Sequence, residues 1–470
     1  MFLAPARHAD SALALLDPVA RIALTHGELR ERADEGARAL ALVPRGLAVL
    51  LCRNDVPTVV AWLALVEAGW PVLLLDADAD PAVTAPLLAR YVPEVVIGPA
   101  ESLPAAAPWR RIAFPGAPAV RRDGPPGPPP HPELTLLLST SGSTGSPKLA
   151  RLTRAAVEAN ARSITEALGI ADHERAAGSL PLHYSYGLSV LNSHLVAGAC
   201  VVLSRDSVVT ERFWATLREG ECTSFAGVPY TYQMLDRLAL DALLPRTLLT
   251  MTQAGGKLAE PFLRRAAERM EARGGRFFVM YGATEATARM ACLPAEALWR
   301  KIGSAGRAIP GGRLTVEVED VRSEEADRTG EVVYEGPNVM MGYATTRDDL
   351  CRGDELGGVL RTGDLGRLDS DGFLWIAGRS KRIAKLFGLR VNLDEVENVL
   401  RGYAPAGVIA GEDRLLGFVQ AGEELDLAGL SVELARRLRV YPRAVLLRRV
   451  GALPLLANGK LDYRALEALR

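Results

Sequence analysis

The sequence predicts an α/β protein with a large N-terminal domain of mixed sheets layered with helices, a β-rich subdomain and a small α+β C-terminal domain. Helical and strand patterns alternate up to about residue 300, and short strands with glycine turns follow. A compact stretch of mixed pattern closes the chain. Its 470 residues are enough for two or three domains. We expect the N-terminal domain at residues 1–380 and the C-terminal domain at residues 381–470.

The alternation begins close to the N-terminus. Apolar periodicity predicts helices over residues 24–40 and 57–68, with buried strands over residues 46–51 and 72–75. Residues 115–132 contain eight prolines and three glycines, which predicts a surface connector that does not pack.

Beyond residue 133 the pattern resumes. Strands are predicted over residues 134–138, 149–152, 199–203, 223–227, 248–254 and 276–280, and helices over residues 154–168 and from 212 onward. After residue 301, short strands with glycine turns indicate the β-rich subdomain, for example residues 330–334 and the turn at 369–372.

Composition limits the classes of partner. The net charge of −1 favours neither nucleic acid nor a membrane surface. The five cysteines lie far apart without Cys-x-x-Cys spacing, and the six histidines are scattered. We therefore expect reduced thiols and no tightly held transition metal. The longest apolar region, residues 56–75, is broken by charge, glycine and proline, so we expect no membrane span and a cytoplasmic protein.

A glycine-rich loop carries the strongest chemical signal. Residues 138–148 read LSTSGSTGSPK and combine backbone N–H groups, hydroxyls and a cation, which suits a polyphosphate. The candidate phosphate-binding residues are Thr140, Ser141, Gly142, Ser143, Thr144, Gly145 and Lys148. Pro147 occupies the position where a Walker loop needs glycine, and apolar runs flank the loop on both sides. We predict strand, loop and strand, with a helix capped by Thr153, rather than a Walker loop or a flexible Ser/Gly linker.

Other segments carry plausible chemistry, although each alone is more often an ordinary turn. In YGATE (residues 281–285), Tyr281 could stack on a base, Thr284 could reach a phosphate and Glu285 could hold Mg²⁺. Asp364 ends RTGD (residues 361–364) and could accept two ribose hydroxyls.

The C-terminal segments add cations and helix caps. A cationic run at residues 378–382 precedes a helix that Asn392 or Asp394 could cap. Lys460 follows a two-residue turn, where an isolated lysine is usually a surface residue, and Asp462 could cap the last helix.

Taken together and in this order, these segments resemble the adenylate-forming superfamily of acyl-CoA synthetases, nonribosomal adenylation domains and luciferases. The matches are STSGSTGSPK (residues 139–148), YGATE, RTGD, Gly378-Arg379 with Lys381, Gly388 and Asn458-Gly459-Lys460. The resemblance runs from residue 24 to the C-terminus and is strongest to acyl-CoA synthetase-like AMP-dependent ligases.

The resemblance implies an enzyme that forms an acyl-adenylate and pyrophosphate from a carboxylic acid and Mg·ATP, and then passes the acyl group to a thiol. That thiol belongs to coenzyme A or to the phosphopantetheine of an acyl carrier protein. The implied catalytic residues are Lys460, Thr284 and Glu285, with Glu285 also holding the metal. Tyr281, Gly282, Asp364 and Arg379 would bind adenine and ribose. The C-terminal domain would be a mobile lid, with Lys381 as hinge and Gly388 and Arg390 lining the thiol tunnel.

The acid pocket departs from the family pattern. In residues 181–187, PLHYSYG, His183 and Tyr184 stand in the reverse of the usual order of aromatic and histidine. An aspartate for a substrate ammonium group is missing, which disfavours an α-amino acid. The candidate pocket residues are His183, Tyr184, Tyr186, Gly187, Val228, Gly255, Gly256 and Met280. Their modest size suggests an apolar acyl or aryl tail, although Val228 and Met280 would suit simple core packing equally well.

Three alternatives to a general acid–thiol ligase remain open from the sequence. The chain could be a stand-alone adenylation enzyme that loads only a carrier protein, or a catalytically silent nucleotide-binding homologue. A kinase-like phosphoryl transferase would release ADP in place of AMP. The sequence does not identify the acid.

Overall fold

The computed structural model describes residues 10–105, 107–140, 148–238, 243–318, 321–323, 327–379, 382–386, 389–411, 414–438, 440–456 and 460–470. Up to residue 300, helices and strands alternate as the sequence predicts. These elements are β1 (Leu13–Asp17), β2 (Ile22–Thr25), α1 (His26–Leu40), β3 (Ala48–Cys52), α2 (Val56–Glu67), β4 (Val72–Asp76), α3 (Pro81–Tyr91), β5 (Val95–Ile97), β6 (Trp109–Ile112), β7 (Ala119–Arg122), β8 (Leu134–Ser139), β9 (Leu149–Thr153), α4 (Arg154–Leu168), β10 (Arg175–Gly178), α5 (Ser185–Ala197), β11 (Cys200–Leu203), α6 (Glu211–Glu219), β12 (Ser224–Gly227), α7 (Pro229–Leu235), β13 (Thr250–Gln253), α8 (Glu260–Glu271), β14 (Arg276–Tyr281) and β15 (Ala291–Leu293).

The remainder of the chain is richer in short strands, as expected. These elements are β16 (Arg307–Ala308), β17 (Arg313–Val318), β18 (Val321–Ser323), β19 (Gly330–Glu335), β20 (Gly342–Ala344), β21 (Val359–Leu368), β22 (Leu374–Arg379), β23 (Ile383–Leu386), β24 (Leu389–Asn392), α9 (Leu393–Arg401), β25 (Ala406–Gly411), β26 (Arg414–Val419), α10 (Leu427–Leu438), β27 (Val445–Arg449) and α11 (Tyr463–Ala468).

Two large sheets form the main body. One has nine strands in the order β16-β15-β14-β13-β12-β10-β11-β1-β2, and the other has eight in the order β20-β9-β8-β4-β3-β5-β7-β6. A single apolar core joins residues of both sheets with helices α1, α2, α4 and α5. Helix α2 is apolar on nearly every face, and Trp62 within it is 1% exposed, because this helix lies inside that core.

Smaller sheets complete the fold. The antiparallel order β18-β17-β19-β21-β22 is the predicted β-rich layer, and it sets Asp364 opposite Arg379. The hairpin β23-β24 and the sheet β25-β26-β27 pack with α9, α10 and α11 around separate apolar clusters. The C-terminal stretch is therefore α+β, as predicted.

Local signals explain where the prediction holds and where it fails. Helix α1 begins at His26, not at residue 24, because Thr25 and Glu28 form a capping box that fixes its start. Helix α4 follows Thr153 as predicted, and the Thr153 hydroxyl accepts from the Ala156 N–H.

The prediction of an unpacked connector over residues 115–132 is wrong in part. Ala119–Arg122 forms β7, which pairs antiparallel with both β5 and β6, and Ala119 and Val120 are buried. These four residues contain no proline, so their N–H groups can join a sheet despite the composition around them.

Asp394 lies within the first turn of α9, and its carboxylate accepts from the Arg379 N–H.

Candidate active site

The two ends of the glycine-rich loop are held together. Strands β8 and β9 are antiparallel with Ser139 opposite Leu149, which confirms the two strands predicted on either side of the loop. The Thr140 N–H and hydroxyl both donate to the Lys148 carbonyl at 3.0 Å. The predicted residues Ser141, Gly142, Ser143, Thr144 and Gly145 lie outside the described residues.

Tyr343 connects this loop to the carboxylate proposed for the metal. Its hydroxyl donates to Glu285 Oε1 at 2.7 Å, and Lys148 Nζ lies 5.4 Å from the centre of its ring. Glu285 belongs to a short 3-10 turn, Thr284–Ala286, just beyond β14, and the hydroxyls of Thr284 and Ser185 are 3.4 Å apart. Lys148, Thr284 and Glu285 are thus brought to one region, as expected of a phosphate and metal site.

Three of the four residues expected around adenine and ribose, Tyr281, Asp364 and Arg379, also meet. The Tyr281 hydroxyl donates to Asp364 Oδ2 at 2.5 Å, and Arg379 Nε lies 3.3 Å from Asp364 Oδ1. Burial raises the pKa of Asp364, and the Arg379 guanidinium opposes that rise. Burial, together with the Asp364 charge, raises the pKa of Tyr281 well above its ordinary value. A side chain at Gly282 would place Cβ 1.8 Å from the Ala288 carbonyl oxygen, so only glycine fits beside Tyr281.

Lys460 reaches the same region from the far end of the sequence. Its Nζ lies 5.5 Å from the centre of the Tyr184 ring. Burial and, to a smaller extent, the charge of Arg379 lower the pKa of Lys460 to about 8, and the charges of Glu285 and Asp364 oppose that shift. Lys460 is therefore not the surface residue that an isolated lysine on a turn usually is, because its environment is determined by tertiary contacts and not by the turn.

Lys460 and Leu461 pair with the preceding residues Leu455 and Leu456. The Leu456 N–H donates to the Lys460 carbonyl at 2.7 Å, and Leu455 bridges Leu461. Asp462 caps α11 by accepting from the Arg464 and Ala465 N–H groups, as predicted. This segment fixes the direction from which the lysine enters.

Tyr184, Val228 and Gly255 surround the lysine. Gly255 has φ +85°, and a Cβ there would lie 2.7 Å from Tyr184 Oη and 3.2 Å from Val228 Cγ1. Burial raises the pKa of Tyr184 to about 12, so its hydroxyl stays protonated at neutral pH. The place facing Lys460 is tight and lined by these uncharged groups, while Arg379, Glu285 and Asp364 act on the lysine from within electrostatic range.

Asn54 fixes the turn that carries His183 and Tyr184. Its Nδ2 donates to the Gly178 and Leu180 carbonyls at 3.0 Å, and its Oδ1 accepts from the Leu182 N–H. Burial lowers the pKa of His183, and the Asp76 charge opposes that shift.

Two of the predicted pocket glycines have packing roles. A Cβ at Gly187 would lie 2.2 Å from the Pro181 carbonyl oxygen. A Cβ at Gly256 would lie 3.2 Å from Pro229 Cγ. Both positions hold backbone close to neighbouring chain, which explains the absence of a side chain there.

Behind this turn a narrow cavity of about 30 Å³ runs between α4, α5 and the nine-stranded sheet. Tyr186 and Met280 line it, and one face of α5 contributes Ser189, Val190, Ser193 and His194. Arg289 also lines it, 2% exposed, with its guanidinium carbon 3.8 Å from the centre of the Tyr186 ring. Val228 and Met280 also belong to a buried apolar cluster, so pocket and core coincide here.

Sequence reasoning missed Tyr343 and Arg289. Tyr343 is positioned by the pairing of β20 with β9, where it lies opposite Ala150, a long-range register with no local signal. Arg289 stands alone as a charge within the otherwise small and apolar residues 286–293. That isolated cation was the signal that could have found it.

The remaining predicted residues belong to the lid. Lys381 and Gly388 lie outside the described residues. Arg390 lies in β24, opposite Lys385 in β23.

Three further sequence expectations concern thiols, metals and membranes. The five cysteines are free, and all except Cys351 are buried. Within the described ranges, no group of three or more His, Cys, Asp or Glu side chains could hold a metal ion. No helix in the described part of the chain is both long and apolar enough to cross a bilayer.

The fold and this site define an AMP-binding enzyme. The chain belongs to the AMP-binding enzyme family, whose model matches residues 3–344. It is 28% identical over 337 residues to the 2-succinylbenzoate–CoA ligase of Enterococcus faecalis (strain ATCC 700802 / V583), covering 70% of this chain and 68% of the relative. It is 32% identical over 286 residues to the ligase of the same name from Bacillus subtilis (strain 168), covering 60% of this chain and 57% of that relative. The matches thus span between 57% and 68% of these relatives' length.

Structural similarity extends over nearly the whole chain. The o-succinylbenzoate CoA synthetase of Bacillus subtilis, solved with an acyl-adenylate intermediate, superposes with a TM-score of 0.78 at 24% identity, covering 97% of this chain and 95% of that one. The predicted fold class and superfamily are confirmed.

Proposed function

We propose that this chain is an ATP-dependent ligase that joins a carboxylic acid to coenzyme A through an acyl-adenylate. One carboxylate oxygen attacks the α-phosphorus of ATP, and the bond to pyrophosphate breaks. The thiol of coenzyme A then attacks the acyl carbon, loses its proton and displaces AMP. The family membership and the CoA ligases among the relatives support this reaction.

The observation that carries the proposal is the position of Lys460. It lies beside Tyr184 and within electrostatic range of Arg379, Glu285 and Asp364, which come from distant parts of the sequence. A cation there can offset the negative charge that builds as carboxylate and α-phosphate approach each other. Removing a comparable donor costs roughly 3 kcal/mol or more of transition-state stabilisation.

The nucleotide would lie between the other predicted residues. Thr140 and Lys148 at the ends of the glycine-rich loop would hold the β- and γ-phosphates, which makes pyrophosphate a better leaving group. Asp364 is held by Tyr281 and Arg379 with its carboxylate positioned to accept ribose hydroxyls. The Tyr281 ring and Gly282 would lie along the adenine.

The donor set around Glu285 fits Mg²⁺. A carboxylate and the Thr284 hydroxyl are oxygen donors, and Mg²⁺ bound with ATP takes few protein ligands beside phosphate oxygens and water. That few-ligand site agrees with the absence of a cluster of three acidic or histidine side chains in the residues described. The ion would neutralise phosphate charge, while Tyr343 orients the Glu285 carboxylate.

The thiol acceptor and the moving lid complete the proposal. We infer that residues 381–470 turn about Lys381, so that Lys460 leaves and the segment with Gly388 and Arg390 arrives. Coenzyme A is favoured as acceptor because the relatives are CoA ligases, and an acyl carrier protein is the second candidate. The five free thiols suit a reducing compartment, which supports a cytoplasmic enzyme.

The test is acid-dependent exchange of labelled pyrophosphate into ATP, screened over aliphatic, aryl and dicarboxylic acids. Lys460→Ala should lose exchange while calorimetry shows that it still binds ATP. Lys301→Ala is the matched control, because that lysine pairs with Asp369 and Asp371 instead. Exchange by Lys460→Ala at the wild-type rate would disprove the role of Lys460.

The same reaction mixtures separate the alternatives. ADP in place of AMP would indicate a kinase. ATP binding without exchange for any acid would indicate a silent homologue. Thioester formation with carrier proteins but not with coenzyme A would identify a carrier-loading enzyme.

A further inference from the structure

Arg289 is a buried cation placed beside the proposed reaction centre. It is 2% exposed, and among the residues described no Asp or Glu oxygen lies within ion-pair distance of it. Its Nη1 donates to the Ala288 carbonyl at 3.3 Å, whereas its Nε has no hydrogen-bond partner. Burying a charge is costly unless an opposite charge and full hydrogen bonding accompany it.

The backbone of Arg289 is held in place. Asn160 and Asn338 both donate side-chain N–H groups to its carbonyl, at 3.0 Å and 2.9 Å. Asn338 also donates to the Ala286 carbonyl, and its own carbonyl accepts from the Thr287 hydroxyl. These bonds hold the backbone of Arg289, and the Tyr186 ring orients its guanidinium, which is the arrangement expected of a recognition group.

A series of ring contacts connects the reaction centre to this cation. Lys460 lies against Tyr184, the Tyr184 and Tyr186 rings are 6.3 Å apart in an edge arrangement, and Arg289 lies over Tyr186. A substrate that spans these groups would meet a cation at each end and aromatic rings between them. The free volume of about 30 Å³ holds only one or two waters, so side chains around the cavity have to move before any substrate tail can enter.

The other ionisable groups of the cavity lie toward its far end. Glu174 directly precedes β10, and Ser224 and Thr250 are the first residues of β12 and β13, so these three residues lie at the amino ends of their strands. Met280 lies near the carboxyl end of β14. Glu174 pairs with Arg276 at 3.9 Å. His194 is buried with its pKa lowered to about 4, so it is neutral. Arg289 is the cation available to an anion entering from the reaction centre.

We propose that Arg289 is a specificity-determining residue that binds the second carboxylate of a dicarboxylic acid substrate. The inference rests on the proposed ligase function and specifies its substrate class. One carboxylate reacts near Lys460, the other pairs with the guanidinium through Nε, and a short apolar or aryl spacer lies between the tyrosine rings. The same cation disfavours an acid with an apolar end, because that end would leave the charge buried and unpaired.

The test compares matched pairs of acids in pyrophosphate exchange. Suitable pairs are 2-succinylbenzoate with benzoylpropionate, which lacks the ring carboxylate, and glutarate with pentanoate. The wild-type enzyme should prefer the dicarboxylate of a pair by about 100-fold or more in kcat/KM. In Arg289→Met, kcat/KM for that dicarboxylate should fall about 100-fold, mainly through a higher KM. The variant should use the matched monocarboxylate as well as or better than the wild-type enzyme does.

Melting temperature separates recognition from a structural role. Arg289→Met should unfold at the wild-type temperature or above it, because the variant removes a buried charge without a carboxylate partner. Arg289→Lys should recover part of the dicarboxylate activity. Wild-type preference for monocarboxylates, or an equal loss on both acids of a pair in Arg289→Met, would overturn the inference while leaving the ligase function intact. If none of the acids tested supports pyrophosphate exchange, the proposed function itself is refuted.

Discussion

The Lys460 ammonium lies 5.5 Å from the centre of the Tyr184 ring, although the two residues are separated by most of the length of the chain. The contact brings the C-terminal segment to the turn that Asn54 organises. It also brings the ammonium next to a ring whose hydroxyl stays neutral. The protonation state of Lys460 therefore decides the electrostatics of the proposed reaction centre.

Activity should fall in alkaline solution because of Lys460. Burial lowers its pKa to about 8, so the ammonium is charged below that pH and neutral above it. We expect kcat/KM for pyrophosphate exchange to be level below about pH 8 and to decrease about tenfold per pH unit above it. Lys460→Arg keeps its charge, so any residual activity should show no such decrease. A wild-type profile that stays level to pH 10 would contradict this assignment.

Tyr281 and Asp364 should act as a coupled pair in ATP binding. Tyr281→Phe removes the donor to Asp364 Oδ2, and we expect KM for ATP to rise about tenfold. In a double-mutant cycle with Asp364→Asn, the coupling free energy should be about 1.5–3 kcal/mol. Tyr91→Phe is the matched control, since its buried hydroxyl donates to the Ala344 carbonyl away from this pair. Independent effects of the two substitutions would argue against a shared ribose site.

Local sequence signals predicted the parts of the fold that local chemistry determines. Thr153 caps α4 and Asp462 caps α11 because each supplies a side-chain oxygen to N–H groups two or three residues ahead. Strand β7 was missed because its stability comes from pairing with β5 and β6, not from its own four residues.

The site could be predicted only where its residues stand in family motifs. Tyr281, Asp364 and Arg379 meet as the resemblance implies. The turn before Lys460 is by itself typical of a surface lysine, and only the family motif indicated a catalytic role, because burial by distant residues has no local pattern. Tyr343 and Arg289 belong to none of the quoted motifs, and each is positioned by long-range pairing or by hydrogen bonds to its backbone.

Glu397 should be a stability determinant of the C-terminal region. Its side chain is 2% exposed, pairs with Arg382 at 2.9 Å and with Arg401, and accepts from the Tyr463 hydroxyl and the Val408 N–H. Glu397→Gln should lower the free energy of unfolding by about 3–5 kcal/mol in urea, because it removes the buried carboxylate that pairs with both Arg382 and Arg401. Glu467→Gln, which removes an exposed pair with Arg470, should cost less than about 0.5 kcal/mol. Equal costs for the two variants would show that the buried network contributes little.

Gly255 should be intolerant of a side chain for steric reasons beyond its backbone conformation. In Gly255→Ala, Cβ would come within 2.7 Å of Tyr184 Oη and 3.2 Å of Val228 Cγ1, next to Lys460. We expect pyrophosphate exchange to fall by roughly 100-fold, because small displacements of reacting groups cost about that much.

Gly372→Ala is the control: its φ of +77° is close to the +85° of Gly255, but no atom lies within 4 Å of its Cβ position. Both variants carry the backbone strain of a left-handed alanine, so both should lose about 1 kcal/mol of stability. Only Gly255→Ala should lose exchange, and a similar loss in Gly372→Ala would mean that strain, not the contact with Tyr184, limits the reaction.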